Sequence, residues 1–276
     1  MASAAPRVLV LRAAGTNCDA ETANAFELAG ATARALHINR LFERPQELDD
    51  ADILAVPGGF SYGDDVGSGK ILAIEIRTRL GDALQSFIGK GRLVLGICNG
   101  FQVLVKSGLL PHGAAGLQRP GLELDSTLTW NTSRHYECRW VRVGVTAPAD
   151  SPFLRGIDQM WLPVAHAEGR FISAEATLDG LDSPAHGEPG THGVVRYIDA
   201  DGKPADSFPA NPNGSQRSIA GMSDATGQVF GLMPHPERHV RFTQRPDWTR
   251  WRGTPAAAGD GDGLAIFRNA VAHVRG

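Results

Sequence analysis

A chain of 276 residues, 42% of them apolar and 21% charged, suits one large domain or two small ones and is long enough to bury a sizeable core. A net charge of −3 argues against a nucleic-acid-binding surface, and no apolar run approaches the length of a membrane span. The opening MASAAPRVLVLRAAG lacks the basic start and long apolar run of a signal peptide, and three cysteines, Cys18, Cys98 and Cys138, do not make a disulfide framework, so a reducing, cytoplasmic setting is expected.

The apolar run Arg7–Arg12 predicts a first strand that enters the cap-rich turn Ala13–Asp19. Asp19 is placed to cap a helix reaching Gly30, with Ala23, Phe26 and Leu28 toward a sheet. Ala33–Ile38 reads as a second strand. The polar stretch Asn39–Asp50 leads to a third, Ala51–Val56, and then to the loop PGGFSYGDDVGSG at Pro57–Gly69. Lys70–Ile88 has helical spacing. This alternation predicts an α/β fold, a doubly wound, mostly parallel sheet with flanking helices. Ligands bind beyond the carboxyl ends of strands in such sheets. Gly15, Gly58, Gly59 and Cys98 all follow strands and are expected on one rim.

Arg92–Gly108, RLVLGICNGFQVLVKSG, is the most informative stretch. Leu93–Ile97 has the composition of a strand buried on both faces. Phe101, Val103, Leu104 and Val105 give the apolar content of a short helix that Gly108 ends. Cys98 stands between them, flanked by Gly96 and Gly100. A strand that turns sharply into a helix through small residues is a nucleophile elbow, and a helix N-terminus favours the thiolate. A buried core cysteine would need neither glycine.

Beyond Gly108 the pattern changes to strands separated by turns: Gly121–Leu128, Glu137–Val145, Gly193–Asp199, Ile219–Met222 and Gln228–Met233, with loops at Gly180–His192 and Asp206–Ser218. A polar tail carrying Trp248 and Trp251 precedes an amphipathic helix at Leu264–Val274. With no internal repeat and no long linker, residues 1–276 are expected to form one domain with a β-rich insertion.

A thiolate nucleophile needs a base, and the base an orienter. His235 and Glu237, in MPHPERH, follow an apolar strand, and Pro234 and Pro236 oppose a helix there. Residues two apart in an extended segment project to the same side; the alternative is a charged pair on a solvated turn. His235 and His239 fail as a metal pair because i, i+4 spacing needs the helix that Pro236 opposes. Gly63–Lys70 departs from a phosphate loop at Asp64 and Ile71, and the run GDGDGL starting at Gly259 lacks the ligands of a calcium loop. No metal site is expected. Backbone N–H groups of Gly59 and Asn99 are candidates for an oxyanion hole. Cys18 is a rival nucleophile without an elbow.

GICNGFQ at Gly96–Gln102 with PHPE at Pro234–Glu237 resembles the class I glutamine amidotransferases, the Cys-His-Glu glutaminase group. The closer resemblance is to the glutaminase-subunit family of phosphoribosylformylglycinamidine synthase. It is carried by GTNCD at Gly15–Asp19, GGFSYGDD at Gly58–Asp65, ECRW at Glu137–Trp140, PVAHAEGR at Pro163–Arg170, RYIDADG at Arg196–Gly202 and PANPNGS at Pro209–Ser215. These motifs run in order across nearly the whole chain. Ala14, where that family usually has Pro, and Ala167, where it usually has Gly, are departures that touch loops rather than the triad.

The resemblance implies a flavodoxin-like amidotransferase fold and a γ-glutamyl thioester on Cys98, with His235 as acid and base and Glu237 as its orienter. It implies that Gln102, in the GxCxGxQ pattern, positions glutamine. Asn131 and Ser133, in NTSRHYECRW, are weaker candidates for the substrate's amino-acid end; the alternative is an ordinary polar turn. It further implies that ammonia passes to a separate synthetase making formylglycinamidine ribonucleotide in purine biosynthesis. No cofactor is then expected in this chain, ATP and magnesium belong to the partner, and a small accessory subunit accompanies it. The loops Phe60–Ser68 and His166–Arg170 are the expected docking surfaces. Two other readings are weighed. A papain-like protease would need the C-G-[SA]-C-[WY] signature and lacks it here. A non-catalytic scaffold or sensor would be favoured by loss of a triad member, and none is lost.

Overall fold

In the computed structural model, which describes residues 4–118, 124–182 and 191–276, strand β1 (Arg7–Arg12) buries Val8, Leu9, Val10 and Leu11 in succession. Helix α1 (Asp19–Leu28) returns the chain to β2 (Thr32–His37), parallel to β1. Helix α2 (Ile38–Glu43) and a 3₁₀ turn at Pro45–Asp50 lead to β3 (Ile53–Val56), which pairs with the other side of β1. Helix α3 (Lys70–Gly89) then carries the chain to β4 (Leu93–Ile97), beside β3. The first crossover runs one way along the sheet and the next runs the other. Right-handed connections therefore put α1 and α3 on opposite faces, which is why β1, β3 and β4 bury consecutive residues.

Helix α4 (Asn99–Lys106) follows Cys98 directly, and a short α5 (Leu109–His112) follows it. The β-rich segment comprises β5 (Ser126–Thr129), β6 (Glu137–Thr146), β7 (Gln159–His166), β8 (Arg170–Ser173), helix α6 (Glu175–Leu181) and β9 (Val194–Ile198). Strands β10 (Ile219–Ser223) and β11 (Val229–Leu232) form a hairpin, and α7 (Leu264–Arg275) closes the described chain. The main sheet runs β2-β1-β3-β4-β11-β10-β9-β6-β7, and β5 pairs with β8 in a second, small sheet. The first five strands are parallel and the pairings from β11 to β7 are antiparallel. The insertion thus extends the same sheet. Phe26 of α1 meets Phe267 of α7 edge-on, with ring centroids 4.9 Å apart.

The differences from the sequence reading have physical causes. Cys18, not Asp19, is the cap residue of α1; Asp19 is its first residue, held by Arg12 at 2.7 Å. The helix buries Thr22, Ala25 and Phe26 and leaves Leu28 exposed, because its 3.6-residue period turns Leu28 outward. Ile38 starts α2 rather than ending β2. Strands β7 and β8 were not anticipated. Pro163 masks β7 in the sequence, and it is tolerated because β7 is an edge strand. The expected strand at Gly121–Leu128 and loop at Gly180–His192 lie partly outside the described residues. No helix among the described residues is long and apolar enough to cross a membrane.

Candidate active site

The carboxyl ends of β1, β3, β4 and β11 are neighbours on one rim, so the segments that follow them meet. Cys98 occupies the turn after β4 with φ 52° and ψ −106°, a left-handed conformation that a cysteine adopts only under constraint. The constraint is visible. A Cβ on Gly100 would stand 1.8 Å from the carbonyl oxygen of Val56, and one on Gly96 2.6 Å from Leu104. Both glycines let α4 lie directly on the strands, and the backbone between them must turn at Cys98. The Cys98 N–H donates to Leu232 O at 2.8 Å, which ties the elbow to β11.

His235 and Glu237 follow β11. Pro236–Arg238 is one 3₁₀ turn, with Pro236 at its start, where a missing N–H is harmless. The prolines therefore shape a tight turn rather than an extended segment, and that turn folds Glu237 back so that its Oε1 lies 2.6 Å from His235 Nδ1. His235 is 2% and Glu237 1% exposed. Burial pulls the imidazole pKa down; the Glu237 carboxylate, then Cys98 and Cys18, overcome it and hold His235 well above its ordinary value. Among the described residues no hydrogen-bond partner reaches His235 Nε2, although both sulfurs lie close enough to act on the ring. His239 is used elsewhere: its Nδ1 is 2.7 Å from Trp161 O and its ring meets Trp140 edge-on.

Gly58 is the floor of this centre. A Cβ there would come within 2.9 Å of His235 Cε1, 3.1 Å of Cys18 Sγ and 3.4 Å of Cys98 Cβ. Gly59 packs the other way, against the Gly15–Asn17 loop. Asn99 opens α4, so its N–H has no partner within the helix and remains an oxyanion donor candidate together with that of Gly59. Cys18 is not peripheral. It is buried, receives Arg238 Nη2 at 3.1 Å, and has its thiol pKa pushed up by burial against the pull of His235.

Three candidates from the sequence make hydrogen bonds within the protein. Gln102 is buried and committed at both ends: its Oε1 accepts from Asn99 Nδ2 at 2.9 Å and its Nε2 donates to Glu168 O at 2.7 Å. Asn131, fully buried, donates to His135 O and His166 O and accepts from Gly169 N–H. Ser133 bonds Glu137 Oε1 at 3.3 Å. In this structure these side chains build the wall around the site, because a polar group placed behind a buried loop must be satisfied there. The segment His166–Arg170, whose His166 and Glu168 are buried, belongs to that wall. Phe60 and Val66 of the other loop are exposed, and Phe60 lies against Tyr136. Sequence reasoning missed His166, and no spacing signal marked it. A cavity of about 670 Å³ adjoins this wall, lined by Asp64, Lys106, Glu168, Leu128 and Trp130.

Residues 5–274 match the CobB/CobQ-like glutamine amidotransferase domain, the class that this fold and its Cys-His-Glu arrangement define. The chain is 45% identical to phosphoribosylformylglycinamidine synthase subunit PurQ of Dehalococcoides mccartyi, over 98% of each chain. It is 41% identical to the subunit of that name from Methanococcus maripaludis, again over 98% of each. A solved structure of PurLQS from Thermotoga maritima superposes with a TM-score of 0.69 at 27% identity, covering 98% of this chain and 100% of the other. A glutamine amidotransferase from the same organism, 14% identical, shares the fold with a TM-score of 0.52, over 99% of this chain and 98% of that one. The chain belongs to the PurQ family of glutamine amidotransferases.

Proposed function

We propose that this chain hydrolyses glutamine and delivers the ammonia to a separate ATP-dependent synthetase, which converts formylglycinamide ribonucleotide to formylglycinamidine ribonucleotide in purine biosynthesis. The observation that carries this reading is the strained Cys98 elbow facing a buried His235–Glu237 pair 2.6 Å apart. The Cys98 thiolate attacks the side-chain amide carbon, and the N–H groups of Gly59 and Asn99 hold the oxyanion. His235 gives its proton to the departing ammonia, then takes one from the water that cleaves the thioester. Glu237 holds the imidazole in position.

ATP and magnesium act on the synthetase, and the chain itself carries no cofactor. The synthetase and a small accessory subunit are the partners, in a cytoplasmic setting. Ammonia set free in water protonates and is lost, so the product passes through a sheltered route across the interface. The Phe60–Ser68 loop, with Phe60 and Val66 exposed, is the docking surface this reading favours. With the triad buried, docking is what opens and orders the site. Glutamate release by the isolated chain is expected to be slow and to rise by about an order of magnitude or more with synthetase and its substrates. Full activity in the isolated chain, indifferent to any partner, overturns the reading.

A further inference from the structure

We infer that His239 is a positioning residue: it anchors the end of the catalytic turn to the free edge of β7, and the glycine-rich run Gly259–Gly263 locks it there. The 2.6 Å approach of Glu237 to His235 is set by the 3₁₀ turn Pro236–Arg238. Among the described residues, Glu237 Oε2 has no hydrogen-bond partner, so the carboxylate is held where the turn puts it. His239 closes that turn, its N–H donating to Pro236 O at 3.1 Å. The side chain is fully buried, and its Nδ1 lies 2.7 Å from Trp161 O. A carbonyl only accepts, so the ring carries a proton on Nδ1 and donates it there. Burial holds this imidazole below its ordinary pKa, which keeps it neutral.

Gly261 and Gly263 of the GDGDG run press directly on the turn. A Cβ on Gly261 would stand 2.3 Å from His239 O, and one on Gly263 2.1 Å from Pro236 O. The Gly263 N–H donates to His239 O at 2.9 Å. Between the two glycines, Asp262 Oδ2 accepts from the Trp161 N–H at 2.7 Å. Trp161 is thus gripped by both its backbone groups, the carbonyl by His239 and the N–H by Asp262. Alternate residues of a strand turn their carbonyls to the same edge. The edge of β7 opposite β6 presents Trp161 O to His239, Pro163 O to the His235 N–H at 2.8 Å, and Ala165 O to Cys98 Sγ at 3.7 Å. One strand edge therefore touches the base and the nucleophile, and tying Trp161 to the turn fixes its register against both.

The anchor stands on this geometry; its effect on turnover rests on the glutaminase reading above. The test follows the His235 imidazole titration by NMR in the full chain, and kcat and KM for glutamine with the synthetase present. The groups that face His235 are Glu237 in its own turn, Cys98 in the elbow, Cys18 after β1, Tyr136 before β6 and His166 of β7, and every variant keeps them. His239→Leu is expected to lower the His235 pKa by about 1 or more. It should lower kcat by about tenfold to about 10²-fold and leave KM unchanged. His239→Asn, whose amide nitrogen can stand in for Nδ1, is expected to restore both. Asp262→Ala, at the surface, is expected to move both in the same direction and keeps the proposal testable should His239→Leu not fold. Asp262→Asn drops the charge but keeps the acceptor, and is expected to behave as the unaltered chain. An unchanged titration in His239→Leu or in Asp262→Ala overturns the anchor, as does a loss in His239→Asn as large as in His239→Leu. A chain that shows the expected titrations but never hydrolyses glutamine overturns the function and upholds the anchor. An active chain whose titration and turnover ignore His239→Leu does the reverse.

Discussion

The side-chain oxygen of Asn131 lies 3.2 Å from His166 Nδ1 and 3.0 Å from the backbone nitrogen of Gly169, and the two contacts together fix a tautomer. A backbone N–H only donates, so Asn131 presents its oxygen. His166 must then carry its proton on Nδ1 and leave Nε2 bare. Burial, reinforced by the charge on His235, holds this imidazole down to about 3.

His166 therefore sets an acid limit to stability. Above its ordinary pKa of about 6.5, native and unfolded chains are both neutral there, and its contribution is complete. As pH falls toward about 3, the unfolded chain takes a proton that the native one refuses. Stability then drops by up to about 1.4 kcal/mol per pH unit. His166→Gln is expected to flatten the decline between about pH 6 and pH 4 in urea unfolding. An unchanged slope would show that another group is responsible.

Glu237 acts on the opposite side of neutrality. His235 is raised in the folded chain, so the stability it contributes is complete below about 6.5 and lost as pH rises through its folded pKa. Glu237→Gln is expected to bring the imidazole titration, followed by NMR, down toward its ordinary value. It should also remove the fall in stability above about pH 6.5. His235→Ala is expected to cost about 10²–10⁴-fold in glutaminase turnover, and Glu237→Gln less. Equal, small losses in both variants would make the turn merely structural.

Gln102 and Asn131 should behave as structural groups. Both are buried, with their amides satisfied by the wall. Gln102→Ala is expected to remove the side-chain donor to Glu168 O and the acceptor of Asn99 Nδ2, leaving Asn99 only its contacts to Ser61 and Asp64, and to cost about 1–3 kcal/mol in urea unfolding. Asn131→Ala should cost at least about as much, while Ser133→Ala, half-buried at a turn, stays within about 0.5 kcal/mol. Unchanged stability in Gln102→Ala, paired with a raised KM for glutamine, would return that residue to substrate binding.

Cys98 and Cys18 are separated by a rescue experiment. Cys98→Ala is expected to lower glutamine-dependent synthesis by at least about 10³-fold, while synthesis from added ammonium with the synthetase continues. Glutaminase activity that survives in Cys98→Ala and vanishes in Cys18→Ala would make Cys18 the nucleophile.

In the parallel half the most legible strands, β1 and β4, are short apolar runs that enter a cap-rich turn or the Cys98 elbow. Arg7–Arg12 and Leu93–Ile97 keep their predicted bounds. The elbow was legible for the same reason: only close backbone packing explains Gly96 and Gly100 around one cysteine. The antiparallel extension was harder. Pro163 disguised β7, and its alternation emerges only when Trp140 of β6 lies opposite. Individual site contacts were the least legible. Cys18 reaches His235 through a loop lying over Gly58, and Asn131 reaches His166 across β7. Those are meetings of distant segments, which no local spacing records. The tail shows the same limit. One of its two tryptophans, Trp251, lies against the Arg245 guanidinium, as does Trp161 of β7, a contact that the polar composition of the tail concealed.

The place of β11 has a consequence for biogenesis. It inserts between β4 and β10, and it is followed at once by His235 and Glu237. While the chain is being synthesised, β4 and Cys98 leave the ribosome early, but β4 lacks its inner neighbour until β11 emerges. Cys98 is thus made long before His235. The same late strand that joins β4 also carries His235 and Glu237 just beyond its end, and its Leu232 O accepts from the Cys98 N–H. A chain that lacks β11 therefore lacks both the inner partner of β4 and the His235–Glu237 pair, and it gains the two in a single long-range step. Such steps are slow, since distant segments must meet before any pairing rewards them.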